Sequence, residues 1–329
     1  MASRTIALAL ASLVAWGLHA APAQPPLPAR PNALVSADSG GDYKTVQEAI
    51  DAVPQNTSAS NRWVILVKAG TYRERVYVQR EKRFVTLVGE DTDRTVITFD
   101  LNATMAGPDS KPIGTFRTPT VTIDADDFTA ENLTFENSAG PVGQALALRV
   151  DGDRVVFRHS RFIGWQDTIF LNRGRQYFED SYISGHVDFI FGGATAYFER
   201  CHLSCRRHGY ITAASTPHET RYGFVFANGR ITGEPDVRTY LGRPWRDFAQ
   251  VTFLNTEMSD VVRPEGWHNW DRPEREKTAR YEESVTTGPG ASRGRVKWAR
   301  ALTSADAKAI SARSVLRGTD DWDPLRRGN

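Results

Sequence analysis

Apolar residues recur along this chain at a spacing far longer than one helical turn or one strand. Phe128, Phe157, Phe178, Phe198, Phe226 and Phe253 are each followed five positions later by an apolar residue, respectively Leu133, Phe162, Ile183, Leu203, Ile231 and Met258. The intervals between the phenylalanines are 29, 21, 20, 28 and 27 residues. A repeat of that length predicts a solenoid, in which each coil buries its apolar side only by stacking on its neighbours. Strand side chains alternate between two faces, so an offset of five cannot put both apolar residues on one face of a straight strand. Each repeat must therefore bend between them. Short strands, bends and a coil-length period together predict an all-β parallel β-helix.

The flanks carry helical patterns. Thr45 and Glu48 fit a capping box, and Val46, Ala49, Ile50 and Val53 follow at i, i+3, i+4 and i+7. This short amphipathic helix is expected just before the first strands, Trp63 to Val67, where it would cover the open end of the solenoid and its unpaired strand edges. Strands and turns should run from Trp63 to about Met258, with a looser polar segment from Asn102 to Phe116. Gly266 to Ala299 is rich in Trp, Gly and charge, and Ser304 to Leu316 has a helical pattern that would lie along the outside.

One carboxylate, Asp188, sits among bulky apolar residues in the stretch Gly185-His186-Val187-Asp188-Phe189-Ile190-Phe191-Gly192. On a regular strand Asp188 shares a face with His186 and Ile190, while Phe189 points the other way. Burying an unpaired carboxylate is costly, so Asp188 needs a donor. Gln166 lies 22 residues before it and Gln144 a further 22 before that. In stacked coils these three would form a polar row at the ordinary strand spacing of about 4.8 Å, with Asp167 beside it.

Composition narrows the remaining possibilities. The chain has 329 residues, 40% of them hydrophobic, enough for a large core in one long domain or two. Its 41 basic and 39 acidic residues nearly cancel, and a net charge of +2 gives no general field for nucleic acid or a membrane surface. Residues 1–23 have the form of a signal peptide: Arg4, an apolar run from Ile6 to Leu18, then small residues around Ala20, Ala21 and Ala23. That run is short for a membrane span, although an uncleaved anchor is the alternative. A proline-rich linker over 24–31 follows. The mature protein is thus expected outside the cytoplasm, in the periplasm or the medium, free of the membrane once the signal is cleaved. Cys201 and Cys205 are the only cysteines, and four residues of strand span about 13 Å, beyond disulfide reach unless the chain turns sharply. With only His202 and His208 nearby they match no zinc spacing, and small buried side chains are the simpler expectation.

Five segments, in order, carry a family resemblance: Gly70-Thr71-Tyr72-Arg73-Glu74, Gln144-Ala145-Leu146-Ala147-Leu148, Gln166-Asp167-Thr168, Asp188-Phe189-Ile190-Phe191-Gly192 and Leu241-Gly242-Arg243-Pro244-Trp245. With them the chain resembles the pectin methylesterases (pectinesterases) from about Asn32 to Pro324, leaving 325–329 as a tail. The Gly266-Trp267 segment and the Gly288-Pro289-Gly290 turn also fit. Gly193-Ala194 after the aspartate motif and His186 before it resemble bacterial-type members more than plant ones. The resemblance implies a right-handed parallel β-helix, in agreement with the repeats. It also implies hydrolysis of the C6 methyl ester of galacturonate in pectin, giving methanol and an acidic polymer.

Carried over residue by residue, the resemblance makes Asp188 the nucleophile and Asp167 the general acid and then base. Gln144 and Gln166 become the oxyanion donors, and Arg243 the partner of Asp188. Trp245, Phe191 and Val187 are implied at the substrate, although strict alternation puts Phe191 opposite Asp188 unless the chain bends near Gly192. Tyr72 and Glu74 are assigned to structure. The scheme needs Asp188 ionised, which a guanidinium favours, and Asp167 protonated, which burial beside a second negative charge favours. One carboxylate is expected pushed down and its neighbour up. No metal or cofactor is required, and a monomer is expected.

Apart from the resemblance, other readings stay open. Gln144 and Gln166 could be ladder residues that satisfy one another, Arg243 a surface arginine, Trp245 a core aromatic, and His186 a solvent-facing residue. A polysaccharide lyase on the same fold would want clustered carboxylates for calcium, for which this set is sparse. A glycoside hydrolase would use two carboxylates flanking the bond. An esterase acting on another esterified polysaccharide would use the same residues. A non-catalytic carbohydrate-binding solenoid would explain the aromatics but not both aspartates. Serine-esterase chemistry is disfavoured because no Gly-x-Ser-x-Gly elbow is present.

Overall fold

The repeated phenylalanines stack on one another. In a computed structural model, which describes residues 27–38, 40–291 and 294–326, Phe157, Phe178, Phe198, Phe226 and Phe253 form one column through the core. Successive ring centroids are 4.7, 4.6, 4.4 and 4.6 Å apart. Each ring is in register with the next across parallel strands, and each is almost fully buried. Burial of one such side chain stabilises the fold by roughly 1.5–3 kcal/mol, so the column is a major part of what fixes the register of the coils.

The residues five positions on make a second column: Phe162, Ile183, Leu203, Ile231 and Met258 are paired in register down the next side. Between the two columns sits the expected bend. His159, Asp180, Arg200, Asn228 and Asn255 each take a left-handed backbone conformation, with φ of 47°, 48°, 52°, 58° and 44°. The first coil differs from the reading. Ala130 and Phe135, not Phe128 and Leu133, hold the equivalent positions, because Phe157 pairs with Ala130 and Phe162 with Phe135. Phe128 and Leu133 are buried but lie outside the two columns.

Eleven parallel strands form one side of the solenoid, in the order Ala33–Val35, Trp63–Val67, Val85–Gly89, Thr129–Glu131, Val155–Arg158, Arg175–Glu179, Thr195–Glu199, Phe224–Ala227, Gln250–Leu254, Arg280–Ser284 and Arg300–Ala301. The other thirteen described strands make a branched parallel sheet. Its branches are the two further sides, joined where the long strands Tyr182–Gly192 and His202–Ala214 run continuously round the corner. This is the parallel β-helix expected from the repeats. The strands begin earlier and end later than expected, at Ala33 and Ala301 in place of Trp63 and Met258.

A helix, Val46–Asp51, packs on Ala33–Val35 and Val76–Val78 at the N-terminal end. Its capping box of Thr45 and Glu48 forms as expected, and Val46, Ala49, Ile50 and Val53 are buried. Glu74 adds a second cap by accepting from the backbone N–H groups of Val46 and Gln47 at 2.8 and 2.9 Å, a structural role for that motif residue. Two short helices, Ser304–Lys308 and Ala312–Leu316, follow the last strand. The second lays Ala312, Val315 and Leu316 against Val156, Tyr177, Tyr197 and Val225 on the outside of the eleven-stranded side. Cys201 and Cys205 are both buried and unbonded. No helix among the described residues is long and apolar enough to cross a membrane. The signal peptide expected over 1–23 and the linker as far as residue 26 lie outside the described residues.

Candidate active site

Asp167 and Asp188 occupy equivalent places on successive coils, and both sit in the left-handed backbone region, with φ of 61° and 50°. Each such non-glycine residue costs roughly 1–2 kcal/mol, so the surrounding coils must over-determine it. The consequence is a break in side-chain alternation. After Asp188, both Phe189 and Ile190 turn into the core, and Phe191 emerges on the outer side. After Asp167, Ile169 turns in and Phe170 emerges in the same way. Ile190 therefore does not share a face with Asp188. Phe191 does, and the bend that brings it there is at Asp188 itself rather than near Gly192.

The polar row is also offset from the expected one. Gln144 and Gln166 bridge in parallel across adjacent coils, with the Ala145 N–H donating to the Gln166 carbonyl at 3.1 Å. The Asp167 N–H then donates to the Val187 carbonyl at 3.0 Å, so Val187 continues that row. Asp188 falls opposite Asp167, in line with the register of Ile169 with Ile190 and Phe170 with Phe191. An interval of 22 therefore holds only for the first step. Both glutamines are half-buried, and among the described residues no hydrogen bond joins or engages their side-chain amides. They do not satisfy one another, which leaves their N–H groups available to a bound group.

Asp188 has the donor its burial demands. Arg243 Nε donates to Oδ1 at 2.9 Å and Nη2 to Oδ2 at 2.6 Å, a bidentate pair in which the two side chains are only 17% and 9% exposed. Arg243 arrives at the end of the strand Thr239–Gly242, where its own N–H donates to the Thr212 carbonyl. The guanidinium lies against the rings of both Tyr210 and Trp270, at 3.9 and 3.7 Å from their centroids. Asp167 is buried beside this pair and accepts no side-chain hydrogen bond among the described residues.

These surroundings set the two carboxyls apart. Burial, and then the negative charge of Asp188, push Asp167 well above the usual carboxylate range, with Arg243 opposing weakly. Burial also pushes Asp188 up, but there the hydrogen bonds and charge of Arg243 pull back. Asp188 is thus raised, not lowered as expected, while remaining the more acidic of the two. The arrangement can present an ionised carboxylate beside a protonated one.

Aromatic rings wall the site. Phe170 and Phe191 stack at 4.7 Å, Phe116 packs on Phe170 at 4.9 Å, and half-buried Trp245 lies 5.8 Å from Phe191. Trp245 is therefore a wall residue and not core, and Val187 is half-buried along the glutamine row. His186 is half-buried as well, edge-on to Trp165 at 5.9 Å with Nδ1 shielded and unpartnered, so its ring is only partly open to solvent. Burial lowers its pKa, and Arg207 and Arg206 add to that. Sequence reasoning missed Phe116, Phe170, Tyr210 and Trp270. Phe170 was within reach, since it precedes Phe191 by one coil of 21 residues, whereas nothing local marks Tyr210 or Trp270. Among the described residues no group of His, Cys, Asp and Glu could hold a metal ion.

Residues 32–319 match the family model described as Pectinesterase. The chain is 43% identical over 304 residues to Pectinesterase 31 of Arabidopsis thaliana, an alignment covering 89% of this chain and 95% of the relative. Among solved structures, a pectin methylesterase from carrot superposes with a TM-score of 0.83 at 33% identity, over 90% of this chain and 96% of that one. A pectin methylesterase in complex with a hexasaccharide gives a TM-score of 0.80 at 33% identity, over 91% of this chain and 99% of that one. Two of these three are plant proteins, so the bacterial leaning read from Gly193-Ala194 and His186 is not carried by them.

Proposed function

The chain belongs to the pectinesterase family, and on that premise we propose that it hydrolyses the C6 methyl ester of galacturonate in pectin with Asp188 as nucleophile and Asp167 as acid and then base. It is a carboxylic ester hydrolase whose products are methanol and a galacturonate carboxylate. The observation that carries the role assignment is the bidentate Arg243–Asp188 pair beside a second buried carboxyl that has no such partner.

The reaction follows from the protonation states. An ionised Asp188 oxygen attacks the ester carbonyl carbon, and the carbonyl oxygen becomes an oxyanion. The amides of Gln144 and Gln166 donate to it without titrating, and one such preset donor can be worth about 3 kcal/mol in the transition state. Collapse breaks the bond between C6 and the methoxy oxygen, and Asp167 gives its proton to the departing methoxide. The result is methanol and an acyl-enzyme in which C6 is joined to Asp188. Asp167, now a carboxylate, takes a proton from water as it attacks C6, and the bond to Asp188 breaks. Both aspartates return to their starting states. Arg243 keeps Asp188 oriented throughout, and Trp245, Phe191 and Val187 hold the sugar against the site.

The amino-terminal 23 residues are read as a cleaved secretion signal, and 32–324 as one catalytic domain acting as a monomer outside the cytoplasm, where its polymeric substrate is found. The reading is tested by quantifying methanol and new carboxylate from highly methylated pectin, with and without chelator, beside acetate from an acetylated xylan. Equimolar methanol and carboxylate insensitive to chelator support it. Acetate release without methanol would point to an esterase of another polysaccharide, and no release at all to a binding solenoid.

A further inference from the structure

The chain leaving the strand Thr239–Gly242 delivers two site groups in three residues, Arg243 and Trp245, with Pro244 between them. Proline fixes its own φ and biases the residue before it toward extended backbone, so ψ of Pro244 is the soft dihedral left to decide where Trp245 points. The peptide that joins Pro244 to Trp245 is engaged at its N–H end by the coil beneath, where Trp245 N–H donates to the Ala214 carbonyl at 2.9 Å. That peptide is trans, so its carbonyl points the opposite way and needs a donor of its own.

Arg275 supplies it. Its Nη1 donates to the Pro244 carbonyl at 2.6 Å, the one hydrogen bond that this carbonyl accepts among the described residues. A charged donor makes the stronger kind of bond to a carbonyl. Arg275 is itself held in the 3-10 turn Pro273–Lys277, where its own carbonyl accepts from the N–H groups of Thr278 and Ala279 at 3.1 and 2.8 Å. Asn269 Nδ2 ties the same turn down by donating to Glu276 Oε1 at 2.7 Å. Farther along, Arg280 Nη2 donates to the Phe248 carbonyl at 2.8 Å, so a guanidinium holds each end of the segment from Pro244 to Phe248. Arg275 Nε also reaches Asp247 Oδ1 at 3.2 Å, but Asp247 is 63% exposed against 15% for Arg275, and so open an ion pair contributes little.

The two site groups depend on this bond differently. Arg243 has its own holds: its N–H donates to the Thr212 carbonyl, its guanidinium is forked on Asp188, and its plane lies on Tyr210 and Trp270. The indole of Trp245 meets Phe191 at 5.8 Å and Phe170 at 6.4 Å, and its direction follows the peptide plane before it. We propose that Arg275 is a positioning residue for substrate binding: by holding the Pro244 carbonyl it sets Trp245 against the wall of Phe170 and Phe191, and it acts on the sugar through Trp245 and not through Arg243. The inference rests on the pectin reading for the identity of the sugar and on geometry for the path.

Steady-state methanol release from methylated pectin is measured across pH for the full chain, Arg275→Gln, Arg275→Lys, Asp247→Asn, Trp245→Ala and Arg275→Gln/Trp245→Ala, with thermal melts to verify folding. Arg275→Gln should raise KM about fivefold or more, leave kcat within about twofold and leave the pH–rate profile in place, because binding common to ground and transition states is what is lost. Arg275→Lys, which keeps one donor, should fall between, and it carries the test if the glutamine variant does not fold. Asp247→Asn should match the parent, and in the Trp245→Ala background Arg275→Gln should raise KM no further. An unchanged KM, a fall in kcat with the acid limb moved upward, or an undiminished effect in the Trp245→Ala background overturns the proposal. Acrylamide quenching of tryptophan fluorescence, with Trp245→Ala subtracted in each background, reads the indole without substrate: the Trp245 contribution should become more quenchable in Arg275→Gln. A parent that releases no methanol while this quenching change appears removes the esterase reading and leaves Arg275 as the support of Trp245, whereas methanol release with unchanged quenching and KM removes the positioning role alone.

Discussion

Arg243 holds Asp188 through two near-parallel hydrogen bonds of 2.9 and 2.6 Å, although the residues are 55 apart in the chain. The fork geometry fixes which oxygen of Asp188 faces a substrate, and the charge offsets part of the effect of burial on its pKa. Arg243→Gln removes both. We expect kcat to fall by about 10² or more, as for loss of a charged group that acts chiefly in the transition state. Without the guanidinium Asp188 is protonated up to a higher pH, so the acid limb of the residual pH–rate profile should move upward. A profile that falls uniformly at every pH would contradict this account of the pair.

Asp167 has the opposite stability signature to an ordinary salt-bridged aspartate. Its folded-state pKa lies well above the usual carboxylate value because of burial and the charge of Asp188. As pH rises from that usual value toward the folded-state pKa, the unfolded chain ionises first, and folding loses stability across that window. Asp167→Asn removes the penalty. It should melt about 2 °C or more above the parent at pH 7, with the difference vanishing below about pH 4, while methanol release falls by at least about 10²-fold. A lower melting temperature at pH 7 would mean that Asp167 serves the fold.

Val285 is the misfit in the row of bends. It has φ of 53° and is 61% exposed, at the place where earlier coils use Asn228 and Asn255. Those two are linked, with Asn255 Nδ2 donating to Asn228 Oδ1 at 2.8 Å. A β-branched residue in this conformation costs about 1–2 kcal/mol, and asparagine tolerates it. Val285→Asn should therefore raise the melting temperature by roughly 2 °C, through relief of strain and extension of the ladder, without altering activity. No change on calorimetry would show the strain to be absent.

Much of this molecule was legible in its sequence because stacking repeats itself. The interval between Phe157, Phe178, Phe198, Phe226 and Phe253 announces the coils, and the residue five positions on announces the bend. The first coil was misassigned because Ala130 is too small to stand out beside Phe128, although only the alanine pairs with Phe157. At the site, motif order located Asp167, Asp188, Gln144, Gln166 and Arg243. Strict alternation failed at Asp188, where a left-handed φ changes which side chains emerge and carries Phe191 to the outer wall. The aromatic supports of Arg243 were not legible, because Tyr210 and Trp270 come to it from separate segments with no shared spacing.

The central claim is that Asp188 is the nucleophile, and methanol release from highly methylated pectin by Asp188→Ala beside the parent tests it most directly. The variant should keep the parent's fold by circular dichroism and lose release by at least about 10³-fold, because no acyl-enzyme can form. A folded Asp188→Ala protein that released methanol at the parent's rate would contradict the account.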